Sequence, residues 1–179
     1  MIVRHQRSIR GNVIAEAPAA LWVLLLVLFF PLMDIATVCC RSTFLYLAVH
    51  NAARNAAHTR SFLNPIGGQP SAVQLGQGTV GGITAACPGI NLTNPATVVL
   101  VITDINTDVV TRLAPQTPLA NPADDSNNTY QVEVTATALV DPAFKYNMPF
   151  FGAAPGLTAP MVITMIDRQY AENPQGLNQ

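Results

Sequence analysis

Charge is scarce in this chain of 179 residues: only 11% are Asp, Glu, Lys or Arg, and lysine occurs once, at Lys145. A protein that grips nucleic acid neutralises phosphates with clustered Lys and Arg. Three of the nine basic residues (Arg4, Arg7 and Arg10) sit in the first ten positions, and beyond them six basic residues stand against ten acidic ones. No basic groove is available, which argues against nucleic acid as a partner. Histidine is nearly as rare. His5, His50 and His58 all lie in the first third of the chain. His50 and His58 share a helix face but stand too far apart for one metal ion. There is no Gly-x-Ser-x-Gly elbow, no Cys-x-x-Cys pair and no phosphate-binding glycine loop, so hydrolase, zinc and nucleotide chemistry each lack their parts. The sequence therefore predicts no catalytic residue, no cofactor and no metal, and a protein that is not an enzyme.

Apolar residues, in contrast, make up 50% of the chain and are concentrated near its start. From Ala17 to Met33 there is no charge, and after Asp34 the apolar character continues to Cys40. At 1.5 Å per residue this stretch is roughly 36 Å of helix, enough to cross a hydrocarbon core of about 30 Å. It is too long for a cleaved signal peptide and lacks a small-residue exit. Ala36-Thr37-Val38 before Cys39 makes a poor lipobox. The arginines ahead of the run place the N-terminus in the cytoplasm and the remainder outside, by the positive-inside rule. One lone acid, Glu16, stands at the mouth of the run, where a carboxylate is costly without a partner.

Beyond the span, Leu45, Ala48, Ala52 and Ala56 recur at helical spacing, so the helix continues as a stalk until Asn64-Pro65-Ile66-Gly67-Gly68 breaks it. Pro31 is expected to kink it and Pro18 to be tolerated in its first turn. Ser71 to Ala86 reads as a weak helix or a loop. Three strands follow: Ala96 to Ile105, apolar on both faces; Tyr130 to Val140, with Val132, Val134, Ala136, Ala138 and Val140 on one face; and Pro160 to Ile166 ahead of a polar tail. The expected organisation is a basic leader (1–11), a transmembrane helix and stalk (12–62), a Gly/Pro-rich connector (63–95) and an extracytoplasmic β-rich domain (96–179). The fold class is α+β: a long helix packed on a small, mostly antiparallel sheet.

Arg10-Gly11, Glu16, the span to Met33, Asp34 at its exit, Asn51-Ala52-Ala53-Arg54-Asn55-Ala56-Ala57 and the closing Met161 to Glu172 together resemble the TadE-like family, minor pseudopilins of tight-adherence (Flp-type) pili. Ala17 stands where that family usually carries Phe or Tyr. The resemblance implies a pilin-like fold and cleavage between Gly11 and Asn12 by a prepilin peptidase. Glu16 then pairs with the new amine of Asn12 and sets the axial register during assembly. It further implies a single-pass protein of the bacterial inner membrane. Its partners are other pilins and pseudopilins, the inner-membrane assembly platform and the lipid bilayer. The alternative is a membrane-tethered adhesion or binding module that never enters a filament.

Cys39, Cys40 and Cys87 all fall on the outer side, where disulfides persist. Adjacent cysteines on a helix do not bond each other easily, so Cys87 with Cys39 or with Cys40 is the intrachain pair left open, against a reading of all three as small hydrophobes. Asp104-Ile105-Asn106-Thr107-Asp108 mimics the opening of a calcium loop, but Val109 and Pro115 occupy the positions that need Gly and Glu. A turn is expected there, and another at Asp124-Asp125-Ser126-Asn127-Asn128.

Overall fold

A computed structural model of the protein describes residues 13–145 and 152–179. Helix α1 spans Val13–Leu24, a π-turn follows over Leu25–Phe29, and α2 runs on through Phe30–Ala57. The π-turn lies just ahead of Pro31, and the cause is local. Pro31 has no N–H to offer the Val27 carbonyl, and its ring crowds that carbonyl. The widened turn, in which the Phe30 N–H reaches back to the Leu25 carbonyl, absorbs the misfit without ending the helix. Pro18 lies inside α1, not in its first turn, because the helix begins upstream of Glu16. The stalk closes at Ala57, short of the predicted Phe62. There the Thr59 hydroxyl donates to the Ala56 carbonyl at 2.7 Å, and the chain turns so that Phe62 is fully buried.

The expected architecture stands: one long N-terminal helix packed on an antiparallel sheet. The strands are β1 (Ile90–Leu92), β2 (Thr97–Asp104), β3 (Val110–Arg112), β4 (Asn128–Val140) and β5 (Met161–Tyr170). The longest, β4, organises the rest. β5 pairs along one side of it from Gln131↔Tyr170 to Val140↔Met161. On the other side β2 pairs from Thr97↔Thr135 to Asp104↔Asn128, and β1 from Ile90↔Val140 to Leu92↔Ala138. β3 closes the edge beside β2. The alternation read in β4 holds, since Val132, Val134, Ala136, Ala138 and Val140 are all buried beneath the helices.

The connector contains a full helix, α3 (Ala72–Ala85), which packs beside α2 and over β1 and β2. A reciprocal cap starts it: Ser71 Oγ accepts the Gln74 N–H at 3.3 Å and Gln74 Oε1 accepts the Ser71 N–H at 3.4 Å. Gly76 marks its closest approach to the sheet, because a Cβ there would stand 2.8 Å from Val98 Cγ2. Leu45, Val49, Ala52, Ala53 and Ala56 of α2 meet Val73 and Val80 of α3 over Val98, Leu100, Val132 and Val134. Each buried Val or Leu contributes about 1.5–3 kcal/mol relative to exposure, so this cluster is what holds the head on the stalk.

Candidate functional site

The first half of the long helix touches almost nothing among the described residues. Trp22 is 61% exposed and Val27 70%, and Leu21, Leu24, Leu26, Leu28, Leu32 and Met33 are exposed beside them. Apolar residues cover every side, and the continuous helix from Ala17 to Ala57 is long and apolar enough to cross a membrane. At Asp34 the surroundings change. Asp34, Val38, Leu45, Ala48 and Val49 are buried under the head, while Ile35, Phe44, Tyr46 and Leu47 on the opposite side stay exposed. An apolar face thus carries on past the level where the head begins.

The junction is built from residues distant in sequence. Asp34 is fully buried, and its Oδ1 accepts the Phe144 N–H at 2.8 Å. Its Oδ2 has no partner among the described residues. One turn below, the Phe30 and Phe144 rings meet edge to face at 5.3 Å. Two turns above, Arg41 Nη1 donates to the carbonyls of Asp141 (2.6 Å) and Pro142 (3.2 Å). The same guanidinium lies against Gly89, where a Cβ would come within 2.5 Å of Arg41 Cζ. Gly89 also holds φ +87°, so glycine is required there twice over. Lys145 Nζ pairs with Asp141 Oδ2 at 2.8 Å. Asp34 and Arg41 therefore fasten the β4–β5 connection and the α3–β1 turn to the helix where it leaves its bare half.

Higher on the stalk two histidines bridge to the C-terminal strand and the segment after it. His50 Nδ1 lies 2.9 Å from Asp167 Oδ2, and His58 Nδ1 lies 2.7 Å from Glu172 Oε2. The two do not share a site. On the outer face of the sheet Glu133 is only 5% exposed, with its Oε2 held by Arg112 Nη2 at 3.0 Å and by Arg168 Nε.

Of the residues singled out in the sequence, Gly11 and Asn12 lie outside the described residues. Glu16 falls within α1, and its side chain likewise lies outside the description. Cys39, Cys40 and Cys87 are free thiols, the first two exposed on α2 and the third half-buried after α3. The two aspartate clusters are turns. Asp104 Oδ1 accepts the N–H groups of Asn106 (2.8 Å) and Thr107 (2.9 Å), and Asp108 takes φ +54°. Asp124 accepts the side-chain amide of Asn127 at 2.8 Å and the Ser126 N–H at 3.1 Å. Those bonds hold both carboxyls below the ordinary value of 3.8, chiefly through the Thr107 N–H for Asp104 and the Asn127 amide for Asp124. Arg41 and Phe144 were not singled out. The signal for Phe144 is compositional: it opens Phe144-Lys145-Tyr146-Asn147-Met148-Pro149-Phe150-Phe151, an aromatic-rich stretch in a chain that is 7% aromatic. No protein-family model, curated protein or solved structure matches this chain.

Proposed function

We propose that the protein is a minor pseudopilin, a pilus-assembly subunit of a tight-adherence (Flp-type) system, and that it works by helix-mediated assembly rather than by catalysis. One observation carries the reading. A single helix is bare and apolar over its first half and clad by a head over its second. A subunit drawn from a bilayer into a filament must exchange lipid for neighbouring helices along one half while keeping its head folded on the other. The basic residues ahead of Gly11 orient the span with its N-terminus in the cytoplasm and the head outside the inner membrane. Cleavage between Gly11 and Asn12 by the prepilin peptidase then frees the amine that pairs with Glu16. Other pilins and the membrane assembly platform are the partners of the bare half.

The test is the N-terminal sequence of the protein recovered from membranes of cells with and without the cognate prepilin peptidase. A start at Asn12 only when the peptidase is present is the expected result. A chain that keeps its leader in both strains would overturn the assembly reading in favour of a membrane-tethered module.

A further inference from the structure

Phe144 belongs to the head, yet it touches the helix at the level of Phe30, below Asp34. On the side of the helix away from the head, Leu32, Met33 and Ile35 are exposed at that same level. These residues continue the bare apolar half without a break, so a bilayer that covers that half reaches at least to Ile35. Helix length gives the same answer. A core of about 30 Å is roughly 20 residues of helix at 1.5 Å each, which from Ala17 ends near Thr37. Phe30, Asp34 and Phe144 all fall inside that limit. Phe144 is itself 43% exposed, an aromatic ring packed on the helix on one side and open on the other.

We infer that Phe144, just past the end of β4, forms a second membrane contact, seated in the outer leaflet beside the helix. The occupant of this surface is the lipid bilayer, and the surface is continuous with the bare apolar half of the helix. Three features fit that depth. Phe144 offers its backbone N–H to Asp34, satisfying a donor and an acceptor that would each be costly in hydrocarbon. Arg41 and Lys145 stand just above, tied to Asp141 at headgroup level, as long cationic side chains do at an interface. Phe144 itself supplies an apolar ring of the kind that interfacial segments bury at the headgroup–acyl boundary. The head is therefore docked on the membrane at a fixed height and does not swing on the stalk.

This inference rests on the spanning reading of the helix, and the experiment separates the two. The full chain, with its three cysteines replaced by serine, is reconstituted in vesicles of phosphatidylcholine and phosphatidylglycerol. An environment-sensitive fluorophore is attached through Phe144→Cys, or through Lys145→Cys, which leaves Phe144 and its amide in place. Thr107→Cys, in the exposed turn after β2, serves as the reference. Trp22 reports the helix itself through quenching by brominated lipid. Lipids carrying a nitroxide high on the acyl chain should remove more than about half of the emission at 144 or 145 and leave that at 107 unchanged, as expected of a segment at the acyl boundary. A quenched Trp22 with unquenched labels at both 144 and 145 would overturn the second contact and leave the span standing. An unquenched Trp22 would overturn both.

Discussion

The two halves of the long helix are both rich in apolar residues and do opposite things. From Ala17 to Met33 the side chains are large, with Leu, Val, Phe and Trp pointing in every direction and nearly all of them exposed. From Leu45 to Ala57 the buried side chains form one stripe, and most of that stripe is alanine. Size makes the difference. A helix that approaches a sheet and a second helix closely must present small residues, whereas one surrounded by lipid gains from large ones. Total apolar content does not separate these roles. The distribution around the axis does.

The strongest way to break this comparison is to make one substitution in both halves. Leu45→Ala removes a fully buried side chain and should lower the unfolding free energy of the head by about 2–5 kcal/mol, read by chemical denaturation of the full chain in detergent. Leu28→Ala should leave the same transition within about 0.5 kcal/mol. Equal losses in the two variants would mean that the halves are not energetically distinct. A smaller effect sharpens the account of close packing. Gly76→Val drives a side chain into Val98 and should cost about 1–3 kcal/mol by overpacking, with a lowered Tm as the readout. Retained stability there would show that α3 can stand off the sheet. Smallest is the effect at the turn after β2. The Asp104 carboxyl is held below 3.8 by N–H donors in the fold, so the stability it adds is fully present above that value and is lost as pH falls through the lowered one. An acid titration of Tm should thus find wild type above Asp104→Ala at neutral pH and the two converging in acid. A constant gap would show that the turn contributes through shape alone.

How far the fold could be read from sequence follows the range of the interactions. The bare half was legible because hydrophobicity there is uninterrupted, and β4 because its alternation spans many residues. α3 was not, since Gly76, Gly78, Gly81 and Gly82 lower helix propensity, although Ser71 and Gln74 already stood at capping-box spacing. β5 runs on to Tyr170, beyond the expected Ile166, because Asp167 and Arg168 read as a polar tail until their partners His50 and Glu133 are known. The β1 and β3 segments are three residues each and owe their conformation to the strands beside them. At the junction, Asp34 was visible as an acid at a helix exit. Its partner was not, because Phe144 lies 110 positions away and contributes a backbone N–H, a group every residue but proline carries.

The π-turn at Leu25–Phe29 has a consequence for anyone mapping neighbours around this helix. A widened turn takes up one more residue than an α-turn, so the angular phase of everything before it slips by about 100°, one step on a wheel of 3.6 residues. A single helical wheel drawn from Ala17 to Ala57 therefore assigns the wrong azimuth to one half. In the proposed assembly, a cysteine-crosslinking ladder between adjacent copies should follow two rulers offset by one position, with the break falling between Leu24 and Phe30.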